Sequence, residues 1–218
     1  MGYAVIPRLL SDHNIADVIR ELCDLDGGQA GMRNLLDLHW CASLAGRICD
    51  DAHLGPILGQ RAVAIDCTLF VKSVDRNWLV AIHQDLSIPM AARREDPEWT
   101  GWSRKQGRLF AQPPVRVLEE LIAVRIHLDD CDEGNGALRV VPGSHKYGRL
   151  NPRDVLRNRD RHGEQTIPVN RAGAMIMKPL LLHASSKSSS FAPRRVLQFV
   201  LAPLMLAHSL RMPIPEAS

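Results

Sequence analysis

The chain has 218 residues, of which 45% are hydrophobic and 23% charged, the balance of an ordinary globular domain. Its net charge of +3 is too small to argue for nucleic-acid binding, and no long basic run is present. No apolar run reaches the roughly 18 residues of a membrane span, and the N-terminus lacks the pattern of a signal peptide. We expect a single domain over residues 1–218 with neither a nucleic-acid nor a membrane partner.

The five cysteines are scattered along the chain without a CxxC pair. An odd number without close spacing argues against a disulfide framework and against a cysteine zinc site. We interpret these residues as reduced thiols, mostly small core residues. Because the sequence shows no membrane span and no signal-peptide pattern, we expect a cytoplasmic location.

The first quarter of the chain, residues 1–60, is predicted to be helical. Ser11 is a plausible N-cap, and apolar residues recur at helical spacing after it, namely Ile15, Val18, Ile19 and Leu22. Gly27-Gly28 is expected to end this helix. A second helical stretch covers about Leu35 to Asp50.

From Arg61 onward, short apolar runs alternate with turn residues. The runs are Ala62–Val71, Trp78–Ile82, Leu121–Leu128, Leu138–Val141, Thr166–Val169, Ala174–Met177 and Val196–Leu201. Many short strands separated by turns indicate a sandwich, jelly roll or barrel. Glu133-Gly134-Asn135-Gly136 predicts a turn between two of the strands.

His83-Gln84-Asp85 follows the apolar run Trp78–Ile82. Residues i and i+2 of a strand point to the same side, so His83 and Asp85 present an imidazole and a carboxylate next to each other. These are two of the three ligands of the 2-His-1-carboxylate triad, which binds iron(II) and leaves three coordination positions open.

The same H-x-D pattern recurs at His127-Leu128-Asp129. The position of the second histidine ligand, further along the chain, is therefore needed to decide which pair binds the metal. In a jelly roll the distal ligand lies several strands further on, and the best candidate is His183, at the end of an apolar run. Four or five predicted strands separate His83 from His183, and only two or three separate His127 from it. We therefore predict that His83, Asp85 and His183 bind the metal, and that His127 is a hydrogen-bonded strand histidine.

The last predicted strand, Arg194–Ala202, offers a cation. Arg194 and Gln198 share one side, while Arg195 lies on the bulkier apolar side that should pack against helices. An arginine fork binds a carboxylate through two parallel hydrogen bonds. From the residues alone, it is an equally good interpretation that Arg194 and Arg195 form an exposed basic pair at the start of the strand. Lys72, at the end of the run Ala62–Val71, is interpreted from the residues alone as a surface lysine.

Three separated segments resemble the phytanoyl-CoA dioxygenase family. They are Leu69–Lys72 with Asn77-Trp78 and His83–Asp85, then Asn135–His145, then His183–Ser185 followed by Arg194-Arg195. The resemblance runs from about Gly2 to Ala202. It implies a mainly β fold with flanking helices, a double-stranded β-helix (jelly roll, cupin-like). Residues 1–60 would form a helical buttress, residues 61–203 the jelly-roll core and residues 204–218 a tail.

The resemblance also implies an oxygenase that uses iron(II), 2-oxoglutarate and O2. Carried over residue by residue, the metal ligands are His83, Asp85 and His183, and the residues that bind 2-oxoglutarate are Arg194, Lys72 and Ser185. Arg195, the adjacent residue, is the less favoured candidate for the arginine that binds 2-oxoglutarate. His145, in the family's Pro-Gly-Ser-His turn, is interpreted as a scaffold residue.

The predicted reaction is hydroxylation, or a related oxidation, of a small molecule such as a specialised metabolite or an amino or carboxylic acid. Succinate and CO2 are the co-products. Asp85 argues against chlorination, because halogenases of this class replace that carboxylate with a small residue. We assign Arg125, Gln84 and Trp102 to the substrate, although Arg125 could equally support the site or 2-oxoglutarate. Residues Ile88–Pro114 are expected to form a long loop that acts as a lid over the pocket.

Two alternatives stay open. A non-redox metal-binding cupin, such as a zinc or iron hydrolase or isomerase or a ligand-binding module, also uses two histidines and a carboxylate. Such a protein has no need of Arg194 at its position. A non-catalytic relative is the other alternative, and the intact set of ligands argues against it. The substrate's identity and the oligomeric state are left open.

Overall fold

The structure is a computed structural model that describes residues 1–23, 25, 31–59 and 61–214. Within them lie six α-helices: α1 (Asp12–Cys23), α2 (His39–Cys49), α3 (Gly55–Leu58), α4 (Val115–Glu120), α5 (Pro152–His162) and α6 (Leu204–Ser209). Short 3-10 helices cover Leu35–Asp37, Glu133–Asn135 and Ser144–Tyr147. The strands of the same residues are β1 (Tyr3–Ile6), β2 (Gly31–Met32), β3 (Ala62–Lys72), β4 (Val80–His83), β5 (Ile88–Met90), β6 (Thr100–Lys105), β7 (Arg108–Gln112), β8 (Ile122–His127), β9 (Leu138–Val140), β10 (Gln165–Ile167), β11 (Ala174–Met177), β12 (His183–Ser185) and β13 (Arg194–Pro203).

The larger of the two main sheets is antiparallel and has the strand order β1-β11-β8-β13-β3-β2. Its outer side carries apolar residues of the central strands, including Leu197, Phe199 and Leu201 of β13. They pack against the apolar sides of α1 and α2, which include Ile15, Val18 and Leu44. Strand alternation therefore produces the predicted division of β13, with its bulky side toward the helices.

The smaller sheet has the order β10-β9-β12-β4 and faces the inner side of the larger one. The contact between the sheets is apolar at one end, where residues of β8 and β11 meet residues of β9 and β10: Ala123, Met175, Met177, Leu138, Val140 and Ile167. Two antiparallel sheets packed in this way, with helices on one side, form the predicted jelly roll. The prediction of a mainly β fold with flanking helices is confirmed.

The N-terminal quarter is less helical than predicted. Residues Tyr3–Ile6 form an edge strand that pairs with β11, and Gly31–Met32 pair with β3. The predicted cap of α1 is present, since the Asn14 N–H donates to the Ser11 hydroxyl over 3.1 Å. The predicted stop at Gly27-Gly28 lies outside the described residues, as do positions 215–218 of the predicted tail.

The segment 88–114 is not a long loop. It contains a three-stranded antiparallel sheet with the order β5-β7-β6, and Trp99 within it is buried in a second apolar cluster that also includes α6. The expectation of a loop was wrong because the alternating pattern of these short strands is interrupted by arginines and prolines. None of the described helices has the length and apolar character needed to cross a bilayer.

Candidate metal centre

Two histidines from strands a hundred residues apart lie side by side on the smaller sheet. His83 ends β4 and His183 begins β12, and the antiparallel register pairs them directly. Their ring centroids are 4.3 Å apart. The sheet register alone therefore brings together the two imidazoles that the sequence predicted as ligands.

Asp85 completes the group. Its Oδ1 lies 3.5 Å from Nε2 of His83 and 3.8 Å from Nε2 of His183. The three side chains have ligand atoms that all lie within 4.8 Å of one another. Ligand atoms that each lie about 2.1 Å from the same metal ion are expected to be about 3–4 Å from one another. This arrangement therefore fits a single ion.

The other ring nitrogen of each histidine is held by a backbone carbonyl. Nδ1 of His83 lies 2.8 Å from the Ala81 oxygen, and Nδ1 of His183 lies 2.9 Å from the Leu181 oxygen. A proton on each Nδ1 leaves each Nε2 with a lone pair directed at Asp85. This is the tautomer that a metal ligand requires.

The protonation states of Asp85 and His183 suit a metal. Burial opposes the charged form of His83, but the hydrogen bond and charge of Asp85 raise the pKa of that ring, so a metal ion would compete with a proton for its Nε2. Burial lowers the pKa of His183 to about 4, which keeps its ring neutral. Burial works against ionisation of Asp85, but the His183 and His83 rings hold the pKa of that carboxyl well below its usual range. A carboxylate and a neutral imidazole are the forms that bind a divalent cation.

The side chains of His127 and Asp129, the alternative H-x-D pair, do not face a shared metal site. Asp129 forms an ion pair with Arg195, with Oδ1 2.7 Å from Nη2, whereas His127 is buried on the inner side of β8. Neither ring nitrogen of His127 has a hydrogen-bond partner among the described residues, so the prediction of a hydrogen-bonded histidine was wrong. Burial and then Arg125 lower its pKa to about 3, so the ring stays neutral.

The two arginines at the start of β13 have different surroundings. Arg194 is 2% exposed and lines the cavity beside the three ligands. Its Nη1 donates to the Gly136 carbonyl over 2.7 Å, and its Nε has no partner among the described residues. Arg195 points to the opposite side and is held by Asp129 through Nε and Nη2. The geometry therefore favours Arg194 as the predicted anion-binding residue.

Lys72 is fully buried, contrary to the usual fate of a lysine. It lies opposite Arg194 in the sheet, and its Nζ donates to the Ser185 hydroxyl over 2.6 Å and to the Ser186 carbonyl. Burial, followed by the charge of Arg194, lowers the pKa of Lys72 to about 8. The structure thus brings the three predicted 2-oxoglutarate residues into one cluster.

Gly136 is a site residue that the sequence indicated only as part of a turn. Its carbonyl accepts from both Arg194 and the Ser185 hydroxyl. Its φ is +83°, and a Cβ there would lie 2.7 Å from the Ser186 oxygen and 3.1 Å from the Lys72 Nζ. A glycine is required here by both conformation and space.

Arg125 is also buried, and it contacts the metal ligands through one intermediate. Its Nη1 donates to the Gln198 side-chain oxygen, and Nε2 of Gln198 donates to Oδ2 of Asp85 over 3.2 Å. Burial, followed by the charge of Arg194, lowers the pKa of Arg125 to about 10. This chain of contacts orients the Asp85 carboxylate, which favours the supporting role for Arg125 over direct contact with the substrate.

A cavity lies between the two sheets at these side chains. Besides the polar groups it is lined by Phe70, Trp78, Val80 and Leu138. Gln84 and Trp102, which were predicted to contact substrate, are not among the described residues that line it.

Each of these two side chains has another set of contacts. The Gln84 amide is occupied by the backbone at Gly148, Leu150 and Leu180. The Trp102 indole donates to the Trp99 carbonyl and lies beneath Arg93. Neither position could be recognised from the sequence, because both depend on loop packing.

A profile of the phytanoyl-CoA dioxygenase (PhyH) family matches residues 1–196. No curated protein matches the sequence.

Several solved structures share the fold. EctD from S. alaskensis, with 2-oxoglutarate and 5-hydroxyectoine, is 17% identical with a TM-score of 0.69, and the match covers 100% of this chain and 76% of that one. HygX from Streptomyces hygroscopicus, with iron bound, is 17% identical with a TM-score of 0.63, covering 93% and 82%. The carbocyclase SnoK from nogalamycin biosynthesis is 15% identical with a TM-score of 0.66, covering 100% and 88%. At these identities the likenesses establish the fold.

Proposed function

The chain belongs to the phytanoyl-CoA dioxygenase family of iron(II)- and 2-oxoglutarate-dependent oxygenases, and we propose that it hydroxylates a small molecule at the cavity described above. The proposal assigns the metal to His83, Asp85 and His183. When bound, iron(II) supplies the activation of O2 that couples conversion of 2-oxoglutarate to succinate and CO2 with oxidation of the substrate. The protein's part is to position both organic molecules and to exclude water.

Arg194 is proposed to bind the distal carboxylate of 2-oxoglutarate. Its guanidinium is buried, and its Nε has no partner within the part of the chain that the structure describes. A carboxylate therefore gains charge-assisted hydrogen bonds that water does not contest. Lys72 and Ser185 form one hydrogen-bonded unit beside it. We propose that this unit positions the same carboxylate.

A bound dianion also explains why several cations can stay buried together. Lys72, Arg125 and Arg194 lie on the inner side of the large sheet, and the pKa values of Lys72 and Arg125 are lowered by burial and by Arg194. Buried like charges are destabilising unless they are paired. The co-substrate supplies the missing negative charge.

Asp85 supports hydroxylation as the outcome. The carboxylate ligand is present and is oriented by Gln198, so it occupies the position that a halide needs in halogenases of this class. Unpaired thiols throughout the chain support the further proposal that the enzyme works in a reducing compartment such as the cytoplasm.

The observation that carries the proposal is the convergence of the three ligands beside the buried Arg194. The test is succinate formation from 2-oxoglutarate by the purified protein with iron(II) and O2. We expect slow turnover that requires all three components, and loss of at least about a thousandfold in His83→Ala, because an intact ligand set is needed to hold the ion. Tight zinc binding with no succinate would instead establish the non-redox cupin.

A further inference from the structure

The three residues proposed to bind 2-oxoglutarate lie at the ends of two connections between strands. Lys72 ends β3, and the β3–β4 connection (residues 73–79) follows it. Ser185 ends β12 and Arg194 begins β13, so the β12–β13 connection (residues 186–193) joins these two residues directly. The relative positions of all three side chains therefore depend on how the two connections are held.

Neither connection can hold its own shape through regular secondary structure. Within residues 73–79 and 186–193, all of which the structure describes, there is no helix and no strand. The backbone N–H and C=O groups of such a segment need partners elsewhere in the molecule. The contacts that supply these partners decide where the connections lie.

Asn77 fastens the two connections to each other. Its Nδ2 donates to the Ser188 carbonyl over 2.6 Å, and its Oδ1 accepts the Ser188 N–H over 2.7 Å. A side-chain amide is suited to this contact, because it carries a donor and an acceptor side by side. We call this pair of hydrogen bonds the Asn77 clamp.

A second contact holds the β12–β13 connection from the opposite side. The Ser189 N–H and hydroxyl both donate to the Gly134 carbonyl, each over 2.8 Å. Gly134 belongs to the turn that also presents the Gly136 carbonyl, which accepts from Arg194 and from Ser185. The connection is thus fixed between this turn and the β3–β4 connection.

The Asn77 clamp is linked to the co-substrate cluster through a short stretch of chain. Nζ of Lys72 donates to the Ser185 hydroxyl over 2.6 Å and to the Ser186 carbonyl. Ser186 lies close in sequence to Ser188, the partner of Asn77. A shift of Ser188 would therefore move an acceptor of the buried ammonium group.

The clamp also fixes the residue that follows Asn77. The ring of Trp78 lines the cavity, and Nζ of Lys72 lies 5.4 Å from its centroid. An indole attracts a cation placed over its face. Asn77 is thus next to the aromatic wall of the cavity and holds it in place beside Lys72.

We propose that Asn77 is a positioning residue for 2-oxoglutarate, which holds the three co-substrate residues at the correct spacing. Asn77 is not among the described residues that line the cavity, so it acts through the two connections. This assignment rests on the proposed function and adds a residue to the co-substrate part of that same site. Groups that are ordered before the ligand arrives bind it more tightly, because binding does not have to order them.

The metal ligands are held independently of the clamp. The sheet register pairs His83 with His183, and the carbonyls of Ala81 and Leu181 hold the two rings. Loss of the clamp should therefore weaken the binding of 2-oxoglutarate and leave the binding of iron(II) unchanged. A general loss of structure would weaken both.

The test is anaerobic titration of the iron(II)-loaded protein with 2-oxoglutarate, followed by the visible charge-transfer band. Asn77→Ala removes both hydrogen bonds, so its Kd for 2-oxoglutarate should rise about tenfold. Asn77→Asp is nearly isosteric, but it directs an oxygen instead of a donor at the Ser188 carbonyl, so its Kd should also rise.

Two further measurements separate positioning from general damage. The Kd for iron(II), obtained by calorimetry without 2-oxoglutarate, should change less than about twofold in both variants. The rate of succinate formation at saturating 2-oxoglutarate should also stay within about twofold, because only uniform binding of the co-substrate is lost.

Asn158→Ala is the matched control. It removes an amide-to-carbonyl hydrogen bond, to Asp154 over 2.9 Å, on helix α5, which has no buried residue. Both dissociation constants should be unchanged in this variant. An unchanged Kd for 2-oxoglutarate in the two Asn77 variants, or an equal loss of iron(II) and 2-oxoglutarate binding, would overturn the assignment. Absence of the band from the unaltered protein would reject the proposed function as well, whereas a band that does not respond to Asn77 would reject only this inference.

Discussion

The two sides of the large sheet use the same strands for opposite purposes. The outer side of β13 presents Leu197, Phe199 and Leu201 to the helices, while the inner side presents Arg194 and Gln198 to the cavity. Alternation along each strand separates the two sets by a single residue. The outer side therefore stabilises the fold, whereas the inner side holds charged groups that need ligands.

The two sides should therefore respond differently to substitution. Apolar burial on the outer side contributes to the free energy of unfolding at about 25 cal/mol per Å². Charges buried on the inner side oppose folding unless they are paired. Outer changes should lower stability, and inner changes should alter ligand binding or even raise stability.

The largest expected effect on stability is that of Phe199→Ala on the outer side. Phe199 is fully buried in the first apolar cluster, so its loss should lower the free energy of unfolding by about 3–5 kcal/mol. Urea denaturation measures the change. The KM for 2-oxoglutarate should stay within about twofold, and a large rise in KM with little loss of stability would contradict the division between the two sides.

Asp66→Asn, on the inner side, should show the opposite sign above pH 6. Burial raises the pKa of Asp66 from 3.8 to about 6, so its ionisation disfavours the folded state as pH rises through that range. The unaltered protein should lose about 2 kcal/mol relative to Asp66→Asn between pH 4 and pH 7. Denaturant titrations at several pH values measure this, and a stability difference that does not change with pH would contradict the raised pKa of Asp66.

Arg194→Ala and Arg195→Ala compare two adjacent residues on opposite sides. Arg194→Ala should raise the KM for 2-oxoglutarate about thirtyfold, which corresponds to about 2 kcal/mol for hydrogen bonds to a charged group. Arg195→Ala removes the partly exposed pair with Asp129 on the opposite side of the sheet, so its KM should change less than about twofold. The reverse order would show that Arg195 is the residue that binds the co-substrate.

Much of the site could be predicted from local patterns. The pairing of His83 with Asp85 and the two sides of β13 were both predicted from strand alternation. The structure brings these residues together as expected, although β4 ends at His83 and Asp85 lies just after it. The burial of Lys72 could not be obtained from spacing. It followed from the resemblance to the family, and the structure explains it by its contact with Ser185.

The remaining features depend on contacts distant in sequence. The burial of Asp66 could not be predicted, because a bulge between β3 and β13 lies at this residue, and a bulge leaves no clear mark on the apolar pattern. Trp102 was assigned to the substrate because an aromatic residue in a long loop is typical of a lid. Its indole instead donates to the carbonyl of Trp99, just before β6.

Visible absorption of the anaerobic protein with iron(II) and 2-oxoglutarate tests the three metal ligands directly. We predict a weak charge-transfer band that saturates at one iron per chain and is absent in His83→Ala. A band of equal strength in that variant, or none in the unaltered protein, would contradict the assignment of His83, Asp85 and His183 to the metal.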